Sequence, residues 1–289
     1  MPVNLRNPVA ADTVPIRLPG AVDSHAHIFL RSLRMAPVRR HTPEQDAPLK
    51  DYLAQLDAHG ITHGVLVQPS FLGCDNRFLL DALKRHPQRL RGVVVVEPEA
   101  GAGSLRAMAA QGVVGIRLNL VGQAIPDFSA PPWLRLLAQV RELGWHVEVQ
   151  RQAGDLPAIL PPLLDSGCKL VVDHFGRPDA AIGLRDPGFR ALLSAANSGR
   201  VWVKLAAAYR SWGGPGWCAA GNEAAQALLA AFGSQRLLWG SDWPHTQHRQ
   251  VADYASSLGA LQAWVTDEVQ RRAVLVDTPA ALFKFNSGV

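Results

Sequence analysis

Cysteine, methionine and tyrosine are represented by only three residues each among 289, and charged side chains make up just 18% of the chain. Each shortage excludes something. Cys74, Cys168 and Cys218 stand far apart with no CxxC spacing, so neither a disulfide framework nor a cysteine-bound metal is readable. A reducing, cytoplasmic setting is the expectation. The net charge of +5 is scattered, with no run of five basic residues, which excludes the basic face that a nucleic-acid backbone demands. No apolar stretch has the length of a membrane span, and the opening MPVNLRNPVAADTVPIRLPG lacks the apolar segment of a secretory signal. The chain therefore reads as soluble, with neither nucleic acid nor membrane as a partner. Whether it works alone or as a homo-oligomer is not written in it.

What is present is apolar. Hydrophobic residues reach 48%, enough to fill a large core, and disorder is excluded for most of the length. Residues 1–20 are proline-punctuated and carry no period, which predicts an N-terminal arm. From Ala21 onward, short runs rich in Val, Ile and Leu recur at 21–29, 61–70, 89–98, 113–120, 145–150, 169–175, 201–207 and 236–244. Segments of helical spacing lie between them, for example 48–60, 75–87, 131–144 and 221–233, several ending in Gly or just before Pro. Strands apolar on both faces and alternating with helices imply a parallel sheet covered on both sides. Eight such units with no linker predict one α/β domain over 21–289, a single (β/α)8 TIM barrel. The alternative, an open doubly wound sheet, lacks its Gly-rich phosphate turn after the first strand.

A barrel makes a test of its polar residues, because catalytic groups gather at the C-terminal ends of its strands. Asp23, His25 and His27 fall on strand one in DSHAH, where alternation would put all three on one face. His174 closes strand six, Asp242 closes strand eight with His245 beyond it, and Arg117 and Asn119 end strand four. Gln68 and Ser70 end strand two, while Tyr209 and Arg210 follow strand seven after Lys204. Polar groups within apolar strands are costly to bury without partners, so their convergence on one end predicts a shared pocket. Simpler readings apply to several. His59, His63, His86 and His146 are expected to be hydrogen-bonded core or rim residues, and Asp173 a structural group. Arg117 has two readings, a clamp for a substrate carboxylate or a buried ion pair with Glu148, and Asp242 has a lesser one as a salt-bridge partner. Trp212, Trp217 and Trp243 either fill the core or wall the pocket. For His25 and His27 the spacing favours function, since two imidazoles two residues apart reach a common point.

DSHAH, DHFGRPD (173–179), VKLAAAYR (203–210) and WGSDWPH (239–245) together resemble the amidohydrolase superfamily, in particular its branch of 2-pyrone-4,6-dicarboxylate lactonase-like and sugar-lactonase-like proteins. The likeness runs from about Ala21 to DTPAALFKF, which is similar to the family's closing helix. It implies a (β/α)8 fold and hydrolysis of a lactone ring. Two-metal members carry a carboxylated Lys at the end of strand four and a His at the end of strand five, where this chain has Arg117 and Gln150. The remaining set, His25, His27, His174 and Asp242, is the one with which the lactonase branch works without a tightly held metal.

The resulting expectation is a hydrolase that opens a small anionic lactone with no required cofactor. Asp242 would act as general base on water, and His25, His27 and His174 would polarise the ring carbonyl. Arg117 and Arg210 would bind substrate carboxylate, with Ser70 and Tyr209 contacting ring oxygens. Dicarboxylate lactonases of the family carry a further Arg after strand four, where this chain reads VGQAIPDF, so a mono-anionic or sugar-acid lactone stands beside a pyrone dicarboxylate as substrate. The rival reading is a mononuclear amidohydrolase or decarboxylase in which His25, His27, His174 and Asp242 ligate a single Zn or Mn. A non-enzymatic barrel that binds a small acid is the reading from another class; it would have no use for the HxH pair or Asp242.

Overall fold

The computed structural model describes residues 18–214 and 216–285; the predicted arm therefore falls outside the described residues up to position 17. Eight parallel strands form one sheet in sequential order: β1 (Val22–Ala26), β2 (His63–Val67), β3 (Leu90–Val94), β4 (Val113–Asn119), β5 (His146–Gln150), β6 (Lys169–Val172), β7 (Val201–Ala206) and β8 (Leu237–Gly240). Each lies within one of the apolar runs, and a helix or helical turn follows every one, so the (β/α)8 barrel is observed and the doubly wound alternative is excluded. The helix Leu49–His59 stops where Gly60 takes a left-handed φ of 72°, Asp186 caps the helix Pro187–Ala195, and Asp253 and Ser256 form a capping box on Tyr254–Trp264.

Two apolar layers hold the barrel. Its lower interior is filled by Val22, Val65, Val67, Val93, Val114, Val171 and Leu238, and the final helix Thr278–Phe283 plugs the base with Leu282 and Phe283. The larger layer lies between the strands' outer faces and the helices. Because apolar residues occupy the bottom of the interior, the charged residues inside are confined to its upper part.

The strands meet again between β8 and β1. Here His27 N donates to Trp243 O at 2.8 Å, Asp242 N donates to His25 O at 2.9 Å, and Ala26 and Trp243 form a parallel bridge. Gly240 permits the approach: a Cβ there would stand 2.5 Å from His25 Cβ. The carboxylate of Asp23 fastens the seam, accepting from Ser241 N at 2.9 Å and Ser241 Oγ at 2.6 Å.

Asp23 corrects the expectation that it shares a face with the two histidines. The β1–β2 register places three steps from Asp23 to Ala26 against two from Gly64 to Leu66, a bulge that resets the alternation. Asp23 consequently turns outward, where the phenols of Tyr52 and Tyr254 face it and burial raises its pKa to about 6. His25 and His27 turn into the barrel mouth.

Candidate active site

Beneath the mouth lies a buried ionic group. Lys204 of β7 donates to Glu148 of β5, and lies 3.5 Å from Asp173 and 3.0 Å from His25 Nδ1. Arg117 of β4 donates to Gln150 Oε1 at 2.6 Å and Asp173 Oδ2 at 3.2 Å, with its Nε 3.7 Å from Glu148. Such charges are tolerated in an apolar barrel only because each cation faces a carboxylate. The ion-pair reading of Arg117 is thus observed, although its side chain also lines the pocket above. Glu148 was expected only as a partner for Arg117, and its pairing with Lys204 was not anticipated; a charge in the middle of an apolar strand is the signal that marks both.

Above this group stand the four residues expected to meet. The rings of His25 and His27 are 4.9 Å apart, and those of His25 and His174 are 4.8 Å apart. Asp242 Oδ1 lies 3.8 Å from His25 Nε2 and 3.7 Å from His27 Nε2. His174 reaches the cluster because β6 ends at Val172 and the backbone takes positive φ at His174, Phe175 and Arg177. The two oxygens of Asp242 are treated differently. Oδ2 accepts from Tyr209 OH and from Arg210 Nε, both at 2.7 Å, whereas the buried Oδ1 has no hydrogen-bond partner. Burial pushes the carboxyl pKa up, but Arg210 and the three histidines outweigh it and hold it well below the usual range. Burial dominates for the imidazoles, lowering His27 to about 4 and His174 to about 3, and His25 well below its ordinary value, so all three are neutral near pH 7.

Hydrogen bonding fixes the tautomer of His27 and offers two to His25. His27 Nδ1 lies 2.7 Å from Val67 O, which only accepts, so the neutral ring carries its proton on Nδ1 and shows a lone pair at Nε2. His25 Nε2 is 3.2 Å from that lone pair. With Lys204 donating to His25 Nδ1, the His25 proton sits on Nε2 and bonds to His27. With Nδ1 donating instead to Asp173 Oδ1 at 3.3 Å, two lone pairs face each other, an arrangement that a cation relieves. The donors of His25, His174 and Asp242 lie within 4.8 Å of one another, with His27 Nε2 3.7 Å from Asp242 beside them, and the set fits one divalent ion such as zinc or manganese, in keeping with the orphaned Asp242 Oδ1 and His174 Nδ1.

The pocket over the cluster is lined by His27, Ser70, Arg117, His174, Arg210 and Asp242, joined by Arg40 and Arg177. Those last two were not anticipated: Arg40 sits in an irregular loop, and Arg177 enters through left-handed backbone at φ 51°. Tyr209, expected to contact ring oxygens, is turned to Asp242 and is absent from the pocket lining, whereas Arg210 lines the pocket while its Nε is engaged by the same carboxylate. Trp212, Trp217 and Trp243 pack against Phe175, Tyr209 and Tyr52 and are absent from the pocket lining, where Pro69 and Phe71 stand among polar side chains. Asp173, read from the sequence as a structural group, pairs with Arg117 and Lys204 and also faces His25, because the turn after Val172 breaks the alternation. His245 is tied to Ser257 at 3.3 Å.

A family model described as amidohydrolase matches residues 22–285. The chain belongs to the amidohydrolase family. This amidohydrolase is 32% identical over 271 residues to the 4-sulfomuconolactone hydrolase of Rhizobium radiobacter, covering 91% of this chain and 90% of that one. It is similar to a solved structure from Pseudomonas putida, provisionally described as a 2-pyrone-4,6-dicarboxylic acid hydrolase, with 49% identity, a TM-score of 0.88, and 93% and 99% of the two chains covered. A structure from Acinetobacter baumannii with the same provisional description, solved with citric acid bound, has 36% identity and a TM-score of 0.89 over 92% of this amidohydrolase and 100% of that chain. Among the described residues, no helix is long and apolar enough to cross a membrane.

Proposed function

We propose that this amidohydrolase opens a small anionic lactone, using Asp242 to activate water. The observation that carries the reading is the asymmetry of Asp242: one oxygen clamped by Tyr209 and Arg210, the other buried, unpartnered and facing three neutral imidazoles. A water held at Oδ1 is aligned to attack a carbonyl carbon whose oxygen lies among His25, His27 and His174. Asp242 takes the water's proton as the hydroxyl adds, and returns it to the ring oxygen as the acyl C–O bond breaks, releasing a hydroxy acid or its keto tautomer. A carboxylate held so low is fully ionised at neutral pH but weakly basic, so attack depends on polarisation of the carbonyl. The His25 Nε2 proton, bound only across a 3.2 Å contact, is shared with the developing oxyanion, and His174 supplies a second polar edge. Ser70 and the guanidinium of Arg117 border the same space.

The reading runs without a required metal and takes the His25 tautomer in which Lys204 donates to Nδ1, so that a cation stands behind the ring and the proton sits on Nε2. If the donor set is loaded, a divalent ion would act there as Lewis acid on the carbonyl. The lactone substrates of the relatives support the substrate class, and the unpaired Cys74, Cys168 and Cys218 suit a cytoplasmic setting. The test is turnover of a pyrone dicarboxylate, a muconolactone sulfonate and a sugar-acid lactone by protein stripped with chelator and checked for residual metal by mass spectrometry. Full activity in metal-free protein is expected. Activity lost on stripping and recovered with zinc or manganese would select the mononuclear reading, and failure to open any lactone would remove the proposal.

A further inference from the structure

Charged groups stand at both ends of the His25 ring. Toward the mouth, Nε2 faces His27 and Asp242. Toward the barrel interior, Nδ1 has Lys204 Nζ at 3.0 Å, Asp173 Oδ1 at 3.3 Å and Glu148 Oε1 at 3.5 Å, and all four side chains are buried. The donors of His25, Glu148 and Asp173 lie within 4.8 Å of one another, a second grouping with the spacing of a metal site. A cation is already there: the ammonium of Lys204 donates to Glu148 Oε2 and lies 3.5 Å from Asp173 Oδ1. One imidazole therefore separates two cation positions, and a lysine carried on β7 fills the inner one.

The geometry at Nδ1 chooses between the two tautomers open to His25. An ammonium has protons and no lone pair, so the nitrogen it approaches must be bare. A carboxylate only accepts, and would need the proton on Nδ1. Of the three contacts, the one with Lys204 has hydrogen-bond geometry; Asp173 Oδ1 and Glu148 Oε1 stand at ion-pair distance and have no hydrogen-bond partner among the described residues. The other oxygens of these carboxylates are occupied, Asp173 Oδ2 by Arg117 and Glu148 Oε2 by Lys204. The lone pair of His25 thus points at the lysine, and its one proton lies on Nε2 at the mouth. A metal takes the lone pair of a neutral ring nitrogen, so Nε2 in that state donates a hydrogen bond and does not ligate.

We infer that Lys204 is a positioning residue that locks His25 in its Nε2-protonated form, making the cluster a hydrogen-bond donor to an oxyanion and a poor site for a divalent ion. Removing the lysine hands Nδ1 to Asp173, the carboxylate–histidine pairing that turns an imidazole toward a metal, and bares Nε2 beside Asp242 and His174. The oxyanion half of the inference rests on the lactonase reading; the tautomer and the metal affinity do not. Lys204 is absent from the pocket lining and works only through His25.

Histidine-selective ¹⁵N labelling reads the tautomer directly, since protonated and bare ring nitrogens resonate far apart, and His25→Asn identifies the signals. Wild-type His25 should show a bare Nδ1 and a protonated Nε2. The comparison variant combines Lys204→Met with Glu148→Gln, which removes one charge of each sign and leaves Arg117 to balance Asp173. There the pattern should reverse, and affinity for zinc alone, titrated into chelator-stripped protein, should rise about 10- to 100-fold, the leverage of a histidine's outer partner. Glu148→Gln by itself keeps the lysine, and should keep the wild-type tautomer and zinc affinity. A proton on Nδ1 in wild type, an unreversed pattern or unchanged zinc affinity in the double variant, or the same gain from Glu148→Gln alone overturns the inference. If the double variant does not fold, the wild-type spectrum still decides the tautomer. A bare Nδ1 in a protein that opens no lactone would leave the role of Lys204 standing and remove the hydrolase reading; lactone opening by a protein with its proton on Nδ1 would do the reverse.

Discussion

Replacing Asp242 with Asn is an unusually clean perturbation here because both donors to the side chain converge on one oxygen. Tyr209 OH and Arg210 Nε each approach Oδ2 at 2.7 Å, so the amide must place its carbonyl there and its NH2 at the position of Oδ1. The geometry survives, and the single unpartnered acceptor becomes a donor. Each clamp loses its charge assistance, which roughly halves a bond of about 1.5–3 kcal/mol, so about 2 kcal/mol of stability is lost in all. For a domain of this size that lowers the melting temperature by roughly 4–8 °C. Catalysis should fall much further. Loss of a general base typically costs about 10² to 10⁴ in rate, and because the lactone's anionic contacts are untouched, the loss should appear in kcat with KM little changed. The assay is the fall in pyrone absorbance under saturating substrate, beside a thermal melt of the same preparation. A variant that keeps more than about a tenth of the wild-type kcat would refute the role given to Asp242, whatever its melting point.

Arg117→Met should cost about 3–5 kcal/mol of unfolding free energy, because it leaves the two buried carboxylates of Asp173 and Glu148 to share the single cation of Lys204; an unaltered denaturation midpoint with selective loss of anionic lactones would return Arg117 to a purely substrate-reading role. Acid should destabilise the protein through its neutral imidazoles. His27 has a folded pKa of about 4 against an ordinary 6.5, so its contribution is full above pH 6.5 and is lost as pH falls towards 4, a change of about 3 kcal/mol. Urea titrations at pH 7.5 and 4.5 should therefore show a smaller drop for His27→Asn than for wild type, and equal drops would contradict the assignment. Gly240→Ala forces a Cβ to within 2.5 Å of His25 Cβ, and should destabilise by about 1–3 kcal/mol while displacing His25 enough to impair turnover beyond what the lost stability explains. Normal activity in that variant would mean the seam yields without moving the histidine.

The barrel was legible because its strands are apolar on both faces, which leaves a parallel sheet covered by helices as the natural solution, and the histidine cluster was legible because it sits where those runs end. Local backbone departures carry what was not. A bulge sends Asp23 outward, and the positive φ angles after Val172 bring Asp173 and His174 to the same interior. Neither leaves a periodic trace. Tyr209 and Arg210 were placed at the pocket, but which of their atoms would meet Asp242 depends on the short helix Tyr209–Trp212. Arg40 lies in a loop with no period at all, so only the packing of Phe29, Ala47 and Phe71 reveals where it goes. The pairing of Glu148 with Lys204 could have been found: in HVEVQ and VWVKLA each is a charge that must be buried, and opposite charges on interior strands find each other.

The closure of the barrel has a consequence for synthesis. Asp23 and Ser241 are 218 positions apart, and the contact that joins them also carries His25 and His27 to Asp242. No ribosome-bound chain can assemble this site until β8 has emerged, and a fragment ending before Ser241 holds the imidazoles without the carboxylate. Contacts so distant in sequence are made late and slowly. Catalytic competence is therefore coupled to completion of the fold: the first turnover marks the moment at which the two ends of the sheet have found one another.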